Sequence, residues 1–303
     1  MQKSAESTAP PRLSFGLPVR NGARFLRRAL DSFVAQDFQD FEVVISDNGS
    51  DDETEAICRE MAEHDSRFRY CPNEGDIGQI ENFNRVFQLS RGKYFRWIGA
   101  DDWLEPRYAS ECVAALEGNP SAIGVTTLWR LVDDEGGVEF EEYAGARVDS
   151  PRVRERLKRL LWFLQPGRNR LFFDPIYSML RRDALERTAL LPIDPWTDRF
   201  LALELCLLGP FCHVHECLAS RRAAREGPAI RLPRYHKRYG QKRFPPVYTM
   251  YQGFASIIRK QPLPLAQKLV LGFVVFVHWV KAEFNRPYRR VSMALKRRLE
   301  RSE

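Results

Sequence analysis

The sequence lacks the features that mark several common protein classes. None of its six cysteines forms a CxxC pair, and the 303-residue chain has no dense cysteine framework of the kind found in small secreted domains. Residues 1–11 are polar and contain no apolar stretch, so we expect no secretory signal peptide. We therefore expect a globular protein of the cytoplasm, with its cysteines reduced and mostly buried.

Two phosphate-binding motifs are also absent. A dinucleotide-binding fold carries G-x-G-x-x-G after its first strand, but here that place holds residues 18–23, PVRNGA. No G-x-x-x-x-G-K-[ST] loop occurs elsewhere in the chain. If the protein binds a nucleoside diphosphate, groups other than a glycine-rich loop have to neutralise the phosphate charge.

The positive charge is concentrated in one part of the chain. Residues 1–220 carry a net charge of −9, whereas residues 221–303 carry 20 Lys and Arg against 4 Asp and Glu, a net charge of +16. A basic segment on an acidic body indicates a polyanionic partner, either nucleic acid or an anionic membrane surface. No nucleic-acid recognition motif is present, which favours the membrane.

Strand and helix patterns alternate along the first hundred residues. Short apolar runs predict strands, and apolar positions at helical spacing predict the helices between them. This alternation predicts an α/β fold with an open, mostly parallel sheet flanked by helices. The predicted strands are 13–19, 41–46, 68–71 and 93–98, then 123–128, 138–142, 211–215 and 217–219. The predicted helices are 23–35, 52–63 and 79–89, then 106–116, 152–163, 184–188 and 198–208.

Acidic residues follow two of the predicted strands. Asp47 comes directly after the second strand, and Asp101 and Asp102 follow the strand that ends near residue 98. Ligands of open α/β sheets bind beyond the carboxyl ends of the strands, so we expect both loops to face one crevice. The carboxylates of Asp101 and Asp102 are the hard oxygen ligands that Mg²⁺ or Mn²⁺ prefers, and such a cation would bridge them to a diphosphate. The alternatives are a helix cap for the acidic pair and a plain turn role for Asp47.

Two long segments resemble family 2 glycosyltransferases of the GT-A fold. They are "LPVRNGARFLRRALDSFVAQDFQDFEVVISDNGSDDET" and "NFNRVFQLSRGKYFRWIGADDW". The resemblance runs from about residue 13 to residue 222 and is strongest over the first 106 residues. It is specific because several motifs agree in both order and spacing.

The resemblance implies a role for individual residues. Pro18, Val19 and Asn21 would line the nucleotide pocket, and Asp47 would hydrogen-bond the base of a nucleotide-sugar. Asn84 matches an asparagine near the nucleotide. Asp102 matches the metal ligand of the family, and Asp101 would lie near the ribose or the metal. Gly99 departs from the family, which often has an acidic residue there.

The family chemistry also requires a general base. Inverting transfer is an in-line displacement at the anomeric carbon, and a base must take the proton of the acceptor hydroxyl. Asp198, at the start of a predicted helix, matches the base position of the family. Neighbouring Asp194 is the rival candidate, and a helix cap is the structural alternative for Asp198.

The resemblance implies a metal-dependent, inverting glycosyltransferase that moves a sugar from a nucleotide-sugar to a sugar or lipid-linked acceptor, in surface polysaccharide or glycolipid synthesis. The alternative is a non-catalytic protein of the same fold that binds nucleotide or membrane. A nucleotidyltransferase would need a glycine-rich first loop, which is absent. We divide the chain into a disordered segment 1–12, a nucleotide-sugar half 13–120, an acceptor half 121–220 and a basic, helical extension 221–303.

The basic extension contains one long apolar run. Residues 269–280, LVLGFVVFVHWV, are uninterrupted by charge. Twelve residues are fewer than the roughly 18 that a membrane-spanning helix needs. The run is therefore either a core helix or a helix that lies in a membrane interface, and the latter would make the protein peripheral on the cytoplasmic face.

Overall fold

The computed structural model describes residues 9–133, 138–140, 148–164, 177–222 and 247–299. The first eight residues of the predicted disordered segment 1–12 lie outside this part. The strands are β1 (Leu13–Val19), β2 (Phe41–Asp47), β3 (Phe68–Pro72), β4 (Tyr94–Trp97), β5 (Trp103–Leu104), β6 (Gly124–Val132), β7 (Val138–Phe140), β8 (Met179–Arg181) and β9 (Phe211–Arg222). The helices are α1 (Ala23–Val34), α2 (Thr54–His64), α3 (Gln79–Leu89), α4 (Tyr108–Gly118), α5 (Val153–Phe163), α6 (Arg182–Glu186), α7 (Thr197–Leu208), α8 (Val247–Lys260) and α9 (Leu265–Leu299).

The strands of the described part form one sheet in the order β3-β2-β1-β4-β8-β6-β9-β5, with β7 pairing on β6. The first four strands in this order run parallel, and β1 and β2 are buried along their whole length. Continuous apolar runs suit this position because helices cover both faces of a parallel sheet. The predicted open, mostly parallel α/β sheet is therefore confirmed.

The second half of the sheet is mixed. β8 pairs antiparallel with both β4 and β6, while β6 and β9 run parallel. Two of these strands, β5 and β8, were not predicted, because runs of two and three residues carry no readable alternation. The predicted strands 211–215 and 217–219 are one continuous strand, β9, which extends to Arg222. Residues 141–142 of a predicted strand lie outside the described part.

Two hydrophobic clusters pack against the sheet. One contains β1 side chains together with Phe33 of α1 and Tyr108 of α4. The other brings α5 and α7 together with α8 and α9, whose Phe254 and Leu271 are fully buried. The described part of the basic extension is therefore packed on the sheet domain through these two helices.

Candidate active site

The loops after β1, β2 and β4 meet at one edge of the sheet. The three strands are neighbours and parallel, and Val19 lies opposite Asp47 in their register. The Asn48 N–H donates to the carbonyl of Val19 over 2.8 Å. A Cβ atom placed on Gly22 would lie 3.3 Å from that of Ala100, so the first loop also contacts the loop that carries the acidic pair. The structure thus brings the segments with Pro18, Val19, Asn21, Asp47 and Asp101–Asp102 together.

Three donors hold the carboxylate of Asp47 in place. Its Oδ1 accepts the backbone N–H and the hydroxyl of Ser50 (3.1 and 2.5 Å), and its Oδ2 accepts the Tyr70 hydroxyl (2.9 Å). Burial raises the pKa of the Tyr70 phenol, and its hydrogen bond to Asp47 raises it further. Asp47 therefore shapes its own turn, and this leaves the carboxylate buried and fixed at the end of β2.

Asn21 connects the first loop to the second. Its φ of 52° lies in the left-handed region, which asparagine tolerates better than most residues. Its side-chain oxygen accepts the Asp51 N–H (3.0 Å), and its own N–H donates to the Ser50 hydroxyl (2.9 Å). The Gly22 N–H donates to Thr54 (2.9 Å), so α2 begins against the same loop. These hydrogen bonds fix the backbone of the loops after β1 and β2, which line the crevice.

Asn84 contacts the chain that precedes α7. Its amide group donates to the carbonyl of Leu191 (2.9 Å) and accepts the N–H of Leu191 (3.1 Å). The preceding residue, Leu190, has a φ of 56°, which is unusual for a bulky side chain and requires local support. Asn84 therefore fixes the segment that leads to Asp194 and Asp198.

A buried amide group that sequence reasoning missed lies two residues earlier on α3. Asn82 is 3% exposed, and its side-chain oxygen accepts the Ser46 hydroxyl (2.6 Å) and the Asn73 amide (3.0 Å). Asn73 also donates to Asn48 (3.2 Å). A polar residue on the otherwise apolar buried face of α3 was the available signal for this network.

The acidic pair lies in a tight turn rather than at a helix cap. The Asp102 N–H donates to the Gly99 carbonyl (3.2 Å), and α4 begins six residues further on with Arg107 as its capping residue. The helix-cap alternative is therefore wrong. Burial raises the pKa of Asp102 to about 6; the charge of Arg221 opposes the shift and the charge of Asp101 adds to it.

Two arginines at the end of β9 neutralise this pair, and sequence reasoning missed both of them. Arg222 donates its backbone N–H to Asp102 Oδ1 (3.0 Å) and its Nε to Asp101 Oδ2 (3.0 Å). Arg221 Nε lies 4.0 Å from Asp102 Oδ2, and its guanidinium stacks 3.8 Å from the ring centre of Tyr177. Two consecutive arginines at the end of a strand were the only sequence signal. The pair of carboxylates thus faces a pair of guanidinium groups.

One oxygen of each carboxylate lies beside Gly99. A Cβ atom on Gly99 would lie 2.9 Å from Asp101 Oδ1 and 3.0 Å from Asp102 Oδ2, so oxygens from two different residues approach the same point. Carboxylate oxygens are the ligands that Mg²⁺ and Mn²⁺ prefer, and such ions commonly complete their shell with substrate phosphate and water. These two carboxylates have the chemistry that the implied metal requires, but among the described residues they belong to no group of three or more His, Cys, Asp and Glu side chains that could hold a metal by themselves.

Asp198 and Asp194 play different structural roles. α7 begins at Thr197 with Trp196 as the capping residue, so Asp198 lies inside the first turn and does not cap the helix. Asp194 Oδ1 accepts the Trp196 N–H over 2.8 Å, which makes Asp194 the residue that shapes this turn. The helix-cap alternative for Asp198 is thus wrong. Both side chains lie on a different segment from Asp101 and Asp102.

The comparison with known proteins decides the family. The family described as Glycosyl transferase family 2 matches residues 14–188 of the chain. The chain belongs to glycosyl transferase family 2. Chondroitin synthase from Escherichia coli is 26% identical over 239 residues, which cover 76% of this chain and 31% of that protein. The matches to Glycosyltransferase GlyA from Streptococcus pneumoniae and to an uncharacterized glycosyltransferase from Rickettsia bellii cover only 18% and 19% of the length of those proteins.

Solved structures confirm that the fold is GT-A. Staphylococcus aureus TarS 1–349, in complex with UDP-GlcNAc, superposes with a TM-score of 0.63 at 17% identity, covering 87% of this chain and 71% of that one. The mannosyltransferase PcManGT from Pyrobaculum calidifontis, in complex with GDP-Man and Mn²⁺, superposes with a TM-score of 0.57 at 17% identity, covering 95% and 81%. The predicted family and fold are both confirmed.

Proposed function

We propose that this chain transfers a glycosyl group from a nucleotide-sugar to an acceptor hydroxyl with inversion at the anomeric carbon. The observation that carries the proposal is the convergence of two carboxylates and two guanidinium groups, at the carboxyl edge of a family 2 fold. The nucleoside lies on the loops after β1 and β2, where Pro18, Val19 and Asn21 line its pocket and Asp47 accepts a hydrogen bond from the base. UDP-GlcNAc in TarS and GDP-Man in PcManGT support this donor class.

The diphosphate lies over the acidic pair. Asp102 and Asp101 would hold Mg²⁺ or Mn²⁺, and the Mn²⁺ in the PcManGT complex supports the use of a divalent ion. When bound, the cation neutralises the charge that develops on the leaving diphosphate. Arg221 and Arg222 place two further positive charges beside the same carboxylates, so diphosphate oxygens can replace Asp101 and Asp102 as partners of the guanidinium groups.

Asp198 acts as the general base. It takes the proton of the acceptor hydroxyl while the oxygen forms a bond to the anomeric carbon, and the bond from that carbon to the diphosphate breaks with its electron pair on the leaving oxygen. Asp194 accepts the Trp196 N–H and shapes the turn before α7, whereas Asp198 lies in the first turn of the helix, at the position that matches the base of the family. Asn84 positions the segment that carries both residues.

The acceptor is a sugar or lipid-linked sugar of surface polysaccharide or glycolipid synthesis. We assign donor binding to residues 13–120 and acceptor binding to residues 121–220. We assign the enzyme to the cytoplasm, as a peripheral protein on the cytoplasmic face of the membrane. A nucleic-acid partner has no supporting motif.

Donor binding and transfer can be tested separately with one variant. UDP-, GDP-, dTDP- and CDP-sugars are screened by thermal shift with and without Mn²⁺, and the donor that binds is then used to measure hydrolysis and transfer. Asp198→Asn should reduce turnover about 10²–10⁴-fold with donor affinity nearly unchanged. Loss of donor affinity together with the rate would make Asp198 a binding residue. Donor binding with no hydrolysis or transfer in the wild type would identify a non-catalytic protein.

A further inference from the structure

Helix α9 has two opposite apolar faces, and within the described part of the chain only one of them is covered. Leu271 and Val275 are 0% and 3% exposed and belong to the core cluster with α5 and α8. On the same face, the His278 Nδ1 lies 3.0 Å from the Tyr251 hydroxyl of α8. One face of the helix is thus held firmly on the glycosyltransferase domain.

The other face presents a stripe of large apolar side chains to solvent. Leu265, Leu269, Phe273 and Phe276 follow one another at spacings of four, four and three residues, so they lie on one side of the helix. Their exposed fractions are 73%, 65%, 65% and 52%. An apolar stripe of this size is rarely left in water, because exposing it costs free energy and a partner surface would bury it.

The net charge of the segment that contains this stripe indicates the partner. Lys281 is exposed five residues beyond Phe276, and the sequence from Lys281 to Arg301 contains eight Lys and Arg residues, counting both ends. Lys268 instead donates its ammonium to the Arg259 carbonyl at the end of α8 (2.8 Å). Residues 221–303 as a whole carry a net charge of +16. Two copies of this face would bring like charges together, whereas an anionic lipid surface would offset the charge while covering the apolar side chains.

The burial pattern also decides between lying on a membrane and crossing it. Among the described residues, Leu265–Glu283 is the one helical stretch that is long and apolar enough to span a bilayer. The expectation that the apolar run is too short to span a membrane, which counted only residues 269–280, is therefore wrong on length. A spanning helix would be surrounded by lipid, so Leu271, Val275 and His278 would contact lipid instead of the protein core. That would remove them from the core cluster and break the contact with Tyr251. If α9 lies in the plane of the membrane surface, the exposed stripe is buried in lipid while the opposite face stays packed on the protein.

We propose that the stripe of Leu265, Leu269, Phe273 and Phe276 inserts into the headgroup region of an anionic bilayer, with α9 parallel to the membrane plane. This surface anchors the enzyme and does not depend on glycosyl transfer. A helix with an apolar face and basic flanks binds such surfaces through buried area and electrostatic attraction together.

Vesicle sedimentation of the full chain tests the two contributions. Wild-type protein should bind vesicles that contain phosphatidylglycerol, and binding to pure phosphatidylcholine should be at least tenfold weaker. Raising the salt concentration should weaken anionic binding without abolishing it. Phe273→Gln combined with Leu269→Gln should reduce binding at high salt at least tenfold. Val34→Gln, which changes an apolar residue that is 46% exposed on α1, should leave binding unchanged.

Charge reversal provides a second, independent variant. Lys281→Glu should weaken binding at low salt and have little effect at high salt. Equal binding to neutral and anionic vesicles would overturn the electrostatic part of the proposal. Absence of vesicle binding, with a dimer in solution that Phe273→Gln dissociates, would overturn it entirely and assign the stripe to a second copy. Neither result depends on whether a sugar donor has been found.

Discussion

The substitution Asp102→Asn removes one charge from the proposed metal site and keeps the shape of the side chain. Asp102 is 5% exposed, and its pKa of about 6 against an ordinary 3.8 shows that its surroundings disfavour the carboxylate. This difference corresponds to on the order of 3 kcal/mol at neutral pH. The pKa of about 6 already includes the opposing charge of Arg221, and the amide oxygen can still accept the Arg222 N–H. The metal-free variant should therefore be as stable as the wild type or more stable, by up to about 3 kcal/mol.

The same substitution should remove the effect of metal on donor binding. A ligand present at a hundred times its Kd stabilises the folded state by about 2.7 kcal/mol, which raises the Tm of a domain of this size by about 5 °C. In wild-type protein, Mn²⁺ should increase the thermal shift produced by the correct nucleotide-sugar. In Asp102→Asn, Mn²⁺ should add nothing, and turnover should fall about 10²-fold or more.

Asp101→Asn is the matched control. Asp101 is more exposed than Asp102, and Arg222 pairs with it through Nε and Nη2. Its loss should weaken metal-dependent donor binding but leave a measurable Mn²⁺ effect. Retention of the full wild-type Mn²⁺ dependence in Asp102→Asn, with the fold intact, would refute the assignment of the metal site.

Three further substitutions test other parts of the site and the fold. Asp194→Asn keeps an acceptor for the turn before α7, so transfer should stay within about threefold of wild type, and a collapse would make Asp194 the base. Asn84→Ala removes the side-chain partner of both backbone groups of Leu191, so it should lower the free energy of unfolding by about 1–3 kcal/mol and leave donor affinity unchanged. Loss of donor affinity with unchanged stability would instead place Asn84 at the nucleotide. Glu42→Gln should cost about 2 kcal/mol at pH 7 without affecting transfer. Burial raises the pKa of Glu42, but hydrogen bonds from Ser14 and Arg69 outweigh this effect and hold the pKa below 4.5. The stability that the Glu42 carboxylate contributes, which Glu42→Gln removes, is therefore present above pH 4.5 and is lost as the pH falls through the lowered pKa. Urea unfolding at pH 7 and at low pH measures this difference.

Local features determined the elements that the sequence predicted well. β1 and β2 are continuous apolar runs, and such runs are long enough to identify buried parallel strands without knowing their neighbours. Once the alternation was recognised, the rule for ligand binding in open sheets placed Asp47 and Asp101–Asp102 at one edge. The functional class came from the resemblance, because a family match depends on motif order and not on tertiary contacts.

Long-range pairing decided what the sequence could not. Arg222 lies 120 residues from Asp102, and it reaches the acidic pair because β5 pairs with β9 and places Trp103 opposite Ser220. Asn84 and Leu191 are 107 residues apart and meet only in the folded chain.

The apolar run of α9 illustrates the same limit. Its sequence is apolar on every side, so composition alone cannot tell the core face from the membrane face. Packing against α5 and α8 buries Leu271 and Val275 and leaves Phe273 outside. Side-chain exposure depends on which neighbours the fold supplies, and the tertiary structure alone determines those neighbours.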